Sequence, residues 1–263
     1  MEFNVFEYIQ TQVGLSGVVH AFFIAYFIFV NITYLILVFA SLYHVKQQEH
    51  FKDVFNLKGL YQSDLFSPIS ILAPAFNEEV NIIASVEALM QLKYPDYEVI
   101  VINDGSTDNT LQTLLDHFEL YKVPRPTKKV LDHKPIRGVY LSQRYNNLKV
   151  VDKENGRKAD ALNAGISVST KELICSIDAD SILDPGVLQK LLKSFIEDEK
   201  VIAAGGIVRI ANGCEIEDSI VRKVGIPKNY LARIQSVEYL RSFLFGRIGW
   251  DYLKSLLIIS GAF

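Results

Sequence analysis

Two aspartates one residue apart, Asp178 and Asp180, follow the run Glu172-Leu173-Ile174-Cys175-Ser176-Ile177. The apolar part of that run has the length and composition of a buried strand, so the pair emerges where a strand ends. Neighbouring carboxylates repel, and each is costly to bury alone, so a cation belongs beside them. Oxygen ligands on a turn suit Mg²⁺ or Mn²⁺. Such ions, held by one or two carboxylates, share their remaining positions with water and substrate phosphates. The spacing therefore allows a divalent ion that bridges a nucleotide diphosphate. It also allows a plain acidic turn ahead of a helix, because Asp184-Pro185 supplies an N-cap and a first-turn proline for the segment from Gly186 to Leu192.

A second chemistry-bearing stretch is Glu154-Asn155-Gly156-Arg157-Lys158-Ala159-Asp160-Ala161-Leu162-Asn163-Ala164-Gly165, a glycine-led turn into a short helix. Two cations entering a helix N-terminus form a natural anion site, since the exposed N–H groups and the dipole favour negative charge there. It is not a P-loop, which needs another glycine before its lysine. Two further strands are predicted around it. Ile69 to Ala75 ends at Asn77-Glu78-Glu79, and Glu98 to Ile102 ends at Asn103-Asp104-Gly105-Ser106-Thr107-Asp108. A helix through Val80, Ile83, Val86 and Leu89 follows the first, and Ser106 or Thr107 is the expected N-cap of a helix running to Glu119. Strands alternating with helices imply a mostly parallel sheet whose ligands collect outside the carboxyl ends of the strands. Asn77, Glu78, Asp104, Asp178 and Asp180 all belong to such ends. Between Tyr121 and Asn147 the pattern lapses into prolines and basic residues, among them Lys122, Lys134, Arg137 and Arg144. This stretch reads as a basic surface insertion, either simply solvated or in contact with anionic lipid headgroups.

The chain has 263 residues, 49% of them hydrophobic, and its mean hydropathy is positive. The excess lies near the N-terminus, where no charged residue occurs from Val18 to Tyr43. About 20 residues of helix cross a bilayer core, so a transmembrane span is expected; a secretory leader competes, but no basic segment precedes the run and it exceeds the length of a leader's apolar core. Lys46, Lys52 and Lys58 follow the span while only Glu2 and Glu7 precede it, which places the N-terminus outside and the body in the cytosol at the cell membrane. A net charge of −3 gives no ground for a nucleic-acid partner. Cys175 and Cys214 fit no metal spacing or disulfide framework.

Four motifs in order, Pro74-Ala75-Phe76-Asn77-Glu78-Glu79, Asn103-Asp104-Gly105-Ser106-Thr107-Asp108, Lys158 to Gly165, and Asp178-Ala179-Asp180, resemble the inverting family 2 glycosyltransferases. The anchored, processive branch that makes poly-N-acetylglucosamine, hyaluronan and cellulose is the most similar. The tail from Gln235 to Arg247 and Ile259-Ser260-Gly261-Ala262-Phe263 resembles the same group. The resemblance implies an α/β GT-A fold, Rossmann-like with a mostly parallel sheet, forming a cytosolic domain after one N-terminal transmembrane helix. It divides the chain into an outer segment 1–16, a span 17–44, a connector 45–68, a GT-A domain 69–234 with its basic insertion at about 121–147, and an amphipathic interfacial segment 235–263.

The implied site has Asp104 on the uracil ring, the turn carrying Ala73, Ala75, Asn77 and Glu78 along the nucleoside, Lys158 by the diphosphate, Asp178 near the ribose or donor sugar, and Asp180 on Mg²⁺ or Mn²⁺. The implied reaction moves a sugar from a UDP-sugar, UDP-GlcNAc or similar, to a growing polysaccharide with inversion, with membrane lipids and partner subunits around it. Transfer to a lipid-linked acceptor such as a lipid phosphate is the alternative, and a silent nucleotide-sugar-binding module or subunit is another. Two departures stand out. Arg157 occupies a position where relatives commonly carry a second glycine. The family's catalytic carboxylate lies beyond its Ser-Gly-Ala-Phe stretch, where this sequence stops, so a fragment or split product is expected and no general base is named; Glu238 reads as a surface or membrane-facing residue.

Overall fold

The computed structural model describes residues 5–51, 66–124, 130–179, 181–217 and 220–256. The chain forms two compact units, residues 1–55 with 237–257, and residues 56–236 with 258–263.

The larger unit is built on a six-stranded sheet. At its centre β1 (Ile69–Ala75) and β2 (Tyr97–Asp104) pair in parallel. β5 (Leu148–Lys153) joins β2 and β6 (Leu173–Ser176) joins β1, both in parallel. β4 (Ile136–Ser142) runs antiparallel beside β5, and β3 (Leu120–Val123) antiparallel beside β4. β1 and β2 are nearly continuous apolar runs because both faces of the sheet are covered. Ile69, Ile71, Val99 and Val101 pack with Ile82, Val86 and Leu89 of α2 (Ile82–Met90), Leu114 of α3 (Thr110–His117), and Leu188 and Leu192 of α5 (Val187–Glu197). On the other face Leu72, Ile100, Ile102 and Val151 pack with Ala161 and Val168 of α4 (Arg157–Val168). Each of these Leu and Ile side chains contributes about 1.5–3 kcal/mol by leaving water. α4 lies close to the sheet because Gly165 faces Leu72 and Ile102; a Cβ there would stand 3.1 Å from both side chains. A short hairpin, β7 (Glu215–Glu217) and β8 (Ile220–Lys223), lies outside this sheet.

The stretch expected as an insertion over about 121–147 instead extends the sheet. Pro124 follows β3 and Pro135 precedes β4, so these prolines bracket strands rather than interrupt them. Within β4, Gly138, Val139 and Ser142 are buried while Arg137 is exposed, so the basic side chain stays in solvent while the strand pairs.

In the smaller unit, α1 (Val5–Phe51) runs well past the expected span of 17–44. Its part from Ser16 to Lys46 is long and apolar enough to cross a membrane. α6 (Tyr230–Leu240), of which residues 237–240 belong to this unit, leads into a π-helical turn (Arg241–Arg247) and α7 (Ile248–Tyr252). α7 packs on α1, with Gly249 against the backbone of Leu37 and the Tyr252 ring 5.7 Å from that of Tyr43. Gly249 permits this approach, since a Cβ would stand 2.8 Å from the Leu37 carbonyl oxygen. Residues 257–263, including the Ser-Gly-Ala-Phe stretch, lie outside the described residues.

Candidate functional site

The loops after β1 and β2 are laced together. Asn77 sits at φ +57, a left-handed conformation that asparagine tolerates better than most residues. Its Oδ1 accepts the Thr107 N–H at 2.8 Å, and its own N–H donates to Ser106 Oγ at 3.0 Å. The Glu78 N–H donates to Thr110 Oγ1 at 2.9 Å and the Glu79 N–H to Asp108 Oδ2 at 3.2 Å, while Asn109 donates twice to the Glu79 carboxylate. Burial alone would raise the Asp108 carboxyl, but the Thr110 hydroxyl, the Thr110 N–H and the Glu79 N–H outweigh it and hold it below the usual carboxylate range. Ser106 and Thr107 are thereby engaged by the β1 loop and do not cap α3, which begins three residues later with Asn109 at its N-cap position. Of the residues expected along the nucleoside, Asn77 and Glu78 lie on this rim. Ala73 and Ala75 do not: they are 1% and 2% exposed in the sheet core, because β1 alternates and both point toward α2. Phe76, 48% exposed, is an aromatic side chain that this loop presents to solvent.

Asp104 closes β2 and is buried. Its Oδ1 accepts the Lys153 ammonium at 2.6 Å and the Gly156 N–H at 3.0 Å, and its Oδ2 accepts the Arg157 N–H at 2.7 Å. The Asn155 side chain donates to the Asp104 carbonyl at 2.8 Å. Asp104 therefore grips the turn that leads into α4. Arg157 is held at φ +72, which explains why glycine suits this position: a side chain there costs about 1–2 kcal/mol. One residue on, Lys158 pairs with Asp178 Oδ1, and both side chains are partly exposed. Asp160 accepts Lys153 at 2.5 Å and the Lys134 N–H at 3.0 Å. Burial would raise it, and those bonds, with the charges of Lys153 and His133, hold it below the usual range.

The strands run β5, β2, β1, β6 side by side and parallel, so the 154–158 turn, Asp104, the Asn77 loop and Asp178 leave the sheet at one edge. The fold brings Asp104, the 154–157 turn, Lys158 and Asp178 into a connected series of contacts. Asp180 lies outside the described residues. Among the described residues no group of three His, Cys, Asp or Glu side chains forms a metal cage. The partly exposed Asp178 carboxylate offers the oxygen donors that a hard cation takes, and such a cation would compete with Lys158 for them. Burial pushes the Cys175 thiol up to about 12, which removes it as a nucleophile.

The sequence profile described as "Glycosyl transferase family 2" matches residues 70–217, more than half of the chain. The chain belongs to glycosyl transferase family 2. Its GT-A fold is the one described above. Among curated proteins, a poly-beta-1,6-N-acetyl-D-glucosamine synthase of Staphylococcus epidermidis is 27% identical over 220 residues, covering 83% of this chain and 43% of that protein. The synthase of the same name from Staphylococcus aureus strain COL is 29% identical over 185 residues, covering 70% and 35%. The matched part thus spans less than half the length of these relatives. Among solved structures, S. aureus TarS in complex with UDP-GlcNAc overlaps with a TM-score of 0.37 at 22% identity, over 49% of this chain and 31% of that one.

Sequence reasoning passed over two groups in this family 2 domain. Lys153 ends β5 after Val150-Val151-Asp152, and Asp160 stands inside a motif already singled out. A lysine closing an apolar strand was the available signal, because burial there demands a carboxylate partner.

Proposed function

We propose that this chain is a membrane-anchored glycosyltransferase that takes a sugar from a UDP-sugar, UDP-GlcNAc or a close analogue, and adds it with inversion to a growing polysaccharide. The carrying observation is the convergence of Lys158, Asp178 and the Asp104-bound turn at one sheet edge in a family 2 domain. The names of the relatives support the sugar and the polymer.

In this reading the Asn77–Glu78 and Asp104 loops hold the nucleoside, Lys158 meets the diphosphate, and Asp178 lies near the ribose or donor sugar. Lys158, which pairs with Asp178, turns to the phosphates and offsets the negative charge that develops on the leaving UDP. A Mg²⁺ or Mn²⁺ ion held by Asp180 beside Asp178 would supply Lewis-acid stabilisation of the same diphosphate. α1 anchors the domain, with the N-terminus outside and the body in the cytosol; a topology reporter fused after residue 50 should score cytosolic.

The test is purified protein in detergent with Mn²⁺ and radiolabelled UDP-GlcNAc. Binding of UDP and label in a polymer are the expected results. Label in a lipid extract would redirect the acceptor to a lipid phosphate, and absence of uridine-nucleotide binding would overturn the reading.

A further inference from the structure

Lys153 has no solvent exposure, and its ammonium is saturated. It donates to Asp104 Oδ1 at 2.6 Å, to Asp160 Oδ1 at 2.5 Å and to the Glu154 carbonyl at 2.5 Å, one acceptor for each of its three protons. Its two carboxylate partners come from different elements. Asp104 ends β2, and Asp160 lies in the first turn of α4. Between them runs the turn that Asp104 holds by two N–H bonds, with Arg157 in the left-handed region. Asp160 also fills the space beside Gly156, where a Cβ would stand 2.1 Å from Asp160 Oδ1. Lys134 closes the arrangement from outside, its N–H on Asp160 and its ammonium on the Asn155 carbonyl at 2.5 Å. A desolvated cation with every proton used, flanked by two acids, fixes the distance between β2 and the head of α4 far more tightly than apolar packing would.

We propose that Lys153, seated between Asp104 and Asp160, is a positioning residue for the nucleotide site: it sets the 154–157 turn and so aims Lys158 at the diphosphate. It touches no substrate itself. One of its contacts, to the Glu154 carbonyl, lies on that turn and the other two hold the carboxylates on either side of it, and the residue after the turn is the cation of the site. This inference rests on the functional reading above and names what keeps its phosphate side in place.

A matched control is built into the same strands. Lys149, four residues earlier on β5, pairs with the buried Glu98 at the opposite end of β2. The full chain in detergent, with Mn²⁺, is compared as unaltered protein, Lys153→Met, Asp160→Asn and Lys149→Met, each well below its own melting temperature. Dissociation constants are measured for UDP and for uridine. Lys153→Met should weaken UDP roughly 10- to 100-fold, the usual range for loss of a group that supports a binding residue. Uridine should be weakened less, because the turn carries the diphosphate side. Asp160→Asn should move UDP binding in the same direction by a smaller factor, and it decides the matter if Lys153→Met does not fold. Lys149→Met should lower the melting temperature and leave UDP affinity within about twofold. The inference falls if Asp160→Asn and any folded Lys153→Met bind UDP like the unaltered protein, or if Lys149→Met loses as much affinity as they do. Absence of UDP binding by the unaltered protein would instead remove the functional reading, and this inference with it.

Discussion

The two ends of the β2–β5 pair carry the same chemical device put to different uses. At the amino edge, Glu98 of β2 meets Lys149 of β5; at the carboxyl edge, Asp104 of β2 meets Lys153 of β5. The amino-edge cluster closes on itself. Glu98 also accepts the Ser70 hydroxyl at 2.7 Å and the Thr170 N–H at 2.7 Å, so it ties β1, β2, β5 and the loop after α4 together. The carboxyl-edge cluster opens outward, because two of the acceptor positions on Asp104 go to backbone N–H groups of a turn that ends in a partly exposed lysine. A buried ion pair contributes little net stability in itself, but losing one partner is severe. What distinguishes the two ends is therefore what else the carboxylate holds: a second strand in one case, the turn into α4 in the other.

The largest effect expected from breaking this symmetry is on stability at the amino edge. Lys149→Met leaves Glu98 without its cation and should cost about 3–5 kcal/mol in urea unfolding. A loss below about 1 kcal/mol would show that the cluster is not closed as described. Asp104→Asn should cost about 1–3 kcal/mol, since its amide would face an N–H donor. Unlike Lys149→Met it should also weaken both uridine and UDP binding by calorimetry, and equal weakening of adenosine nucleotides would undo the base-reading role proposed for it.

Acid sharpens the contrast. Burial would raise Glu98, but Lys149, Ser70 and the Thr170 N–H hold it below the usual range. A carboxyl depressed in the folded state stabilises fully above its unfolded value, and that contribution is lost as pH falls through the folded value. Glu98→Gln should therefore be less stable at neutral pH and show a shallower acid limb in melting temperature against pH. An unchanged limb would assign the acid sensitivity to Asp160 and Asp108. The smallest stability effect belongs to the rim. Lys158→Met should change stability by less than about 1 kcal/mol, because its ion pair with Asp178 is partly exposed. It should still weaken UDP while sparing uridine.

Much of this fold was legible in the residues. β1, β2 and β6 are short apolar runs, each followed within a few residues by polar turn chemistry, and the parallel sheet follows from their alternation with helices. β3 and β4 were not legible, because prolines and lysines mask a strand whose buried positions are few. Ser106 and Thr107 read as caps by local rule, yet their bonding is settled by Asn77, about thirty residues earlier. Ala73 and Ala75 belonged to a recognised motif, but they are buried because helices cover both faces of β1, which the motif does not show.

The amino-acid sequence by itself determined the family, the parallel α/β class, the apolar segment fit to span a membrane, and that Asn77, Asp104 and Asp178 stand at or just after strand ends. These follow from local periodicity and from motifs contiguous in the chain. Only the tertiary structure decided that Lys153 lies between Asp104 and Asp160, that Lys158 reaches Asp178, and that Glu98 and Asp104 serve opposite ends of one strand pair. Those contacts join residues far apart in the chain, and their strength comes from a burial that no local pattern encodes.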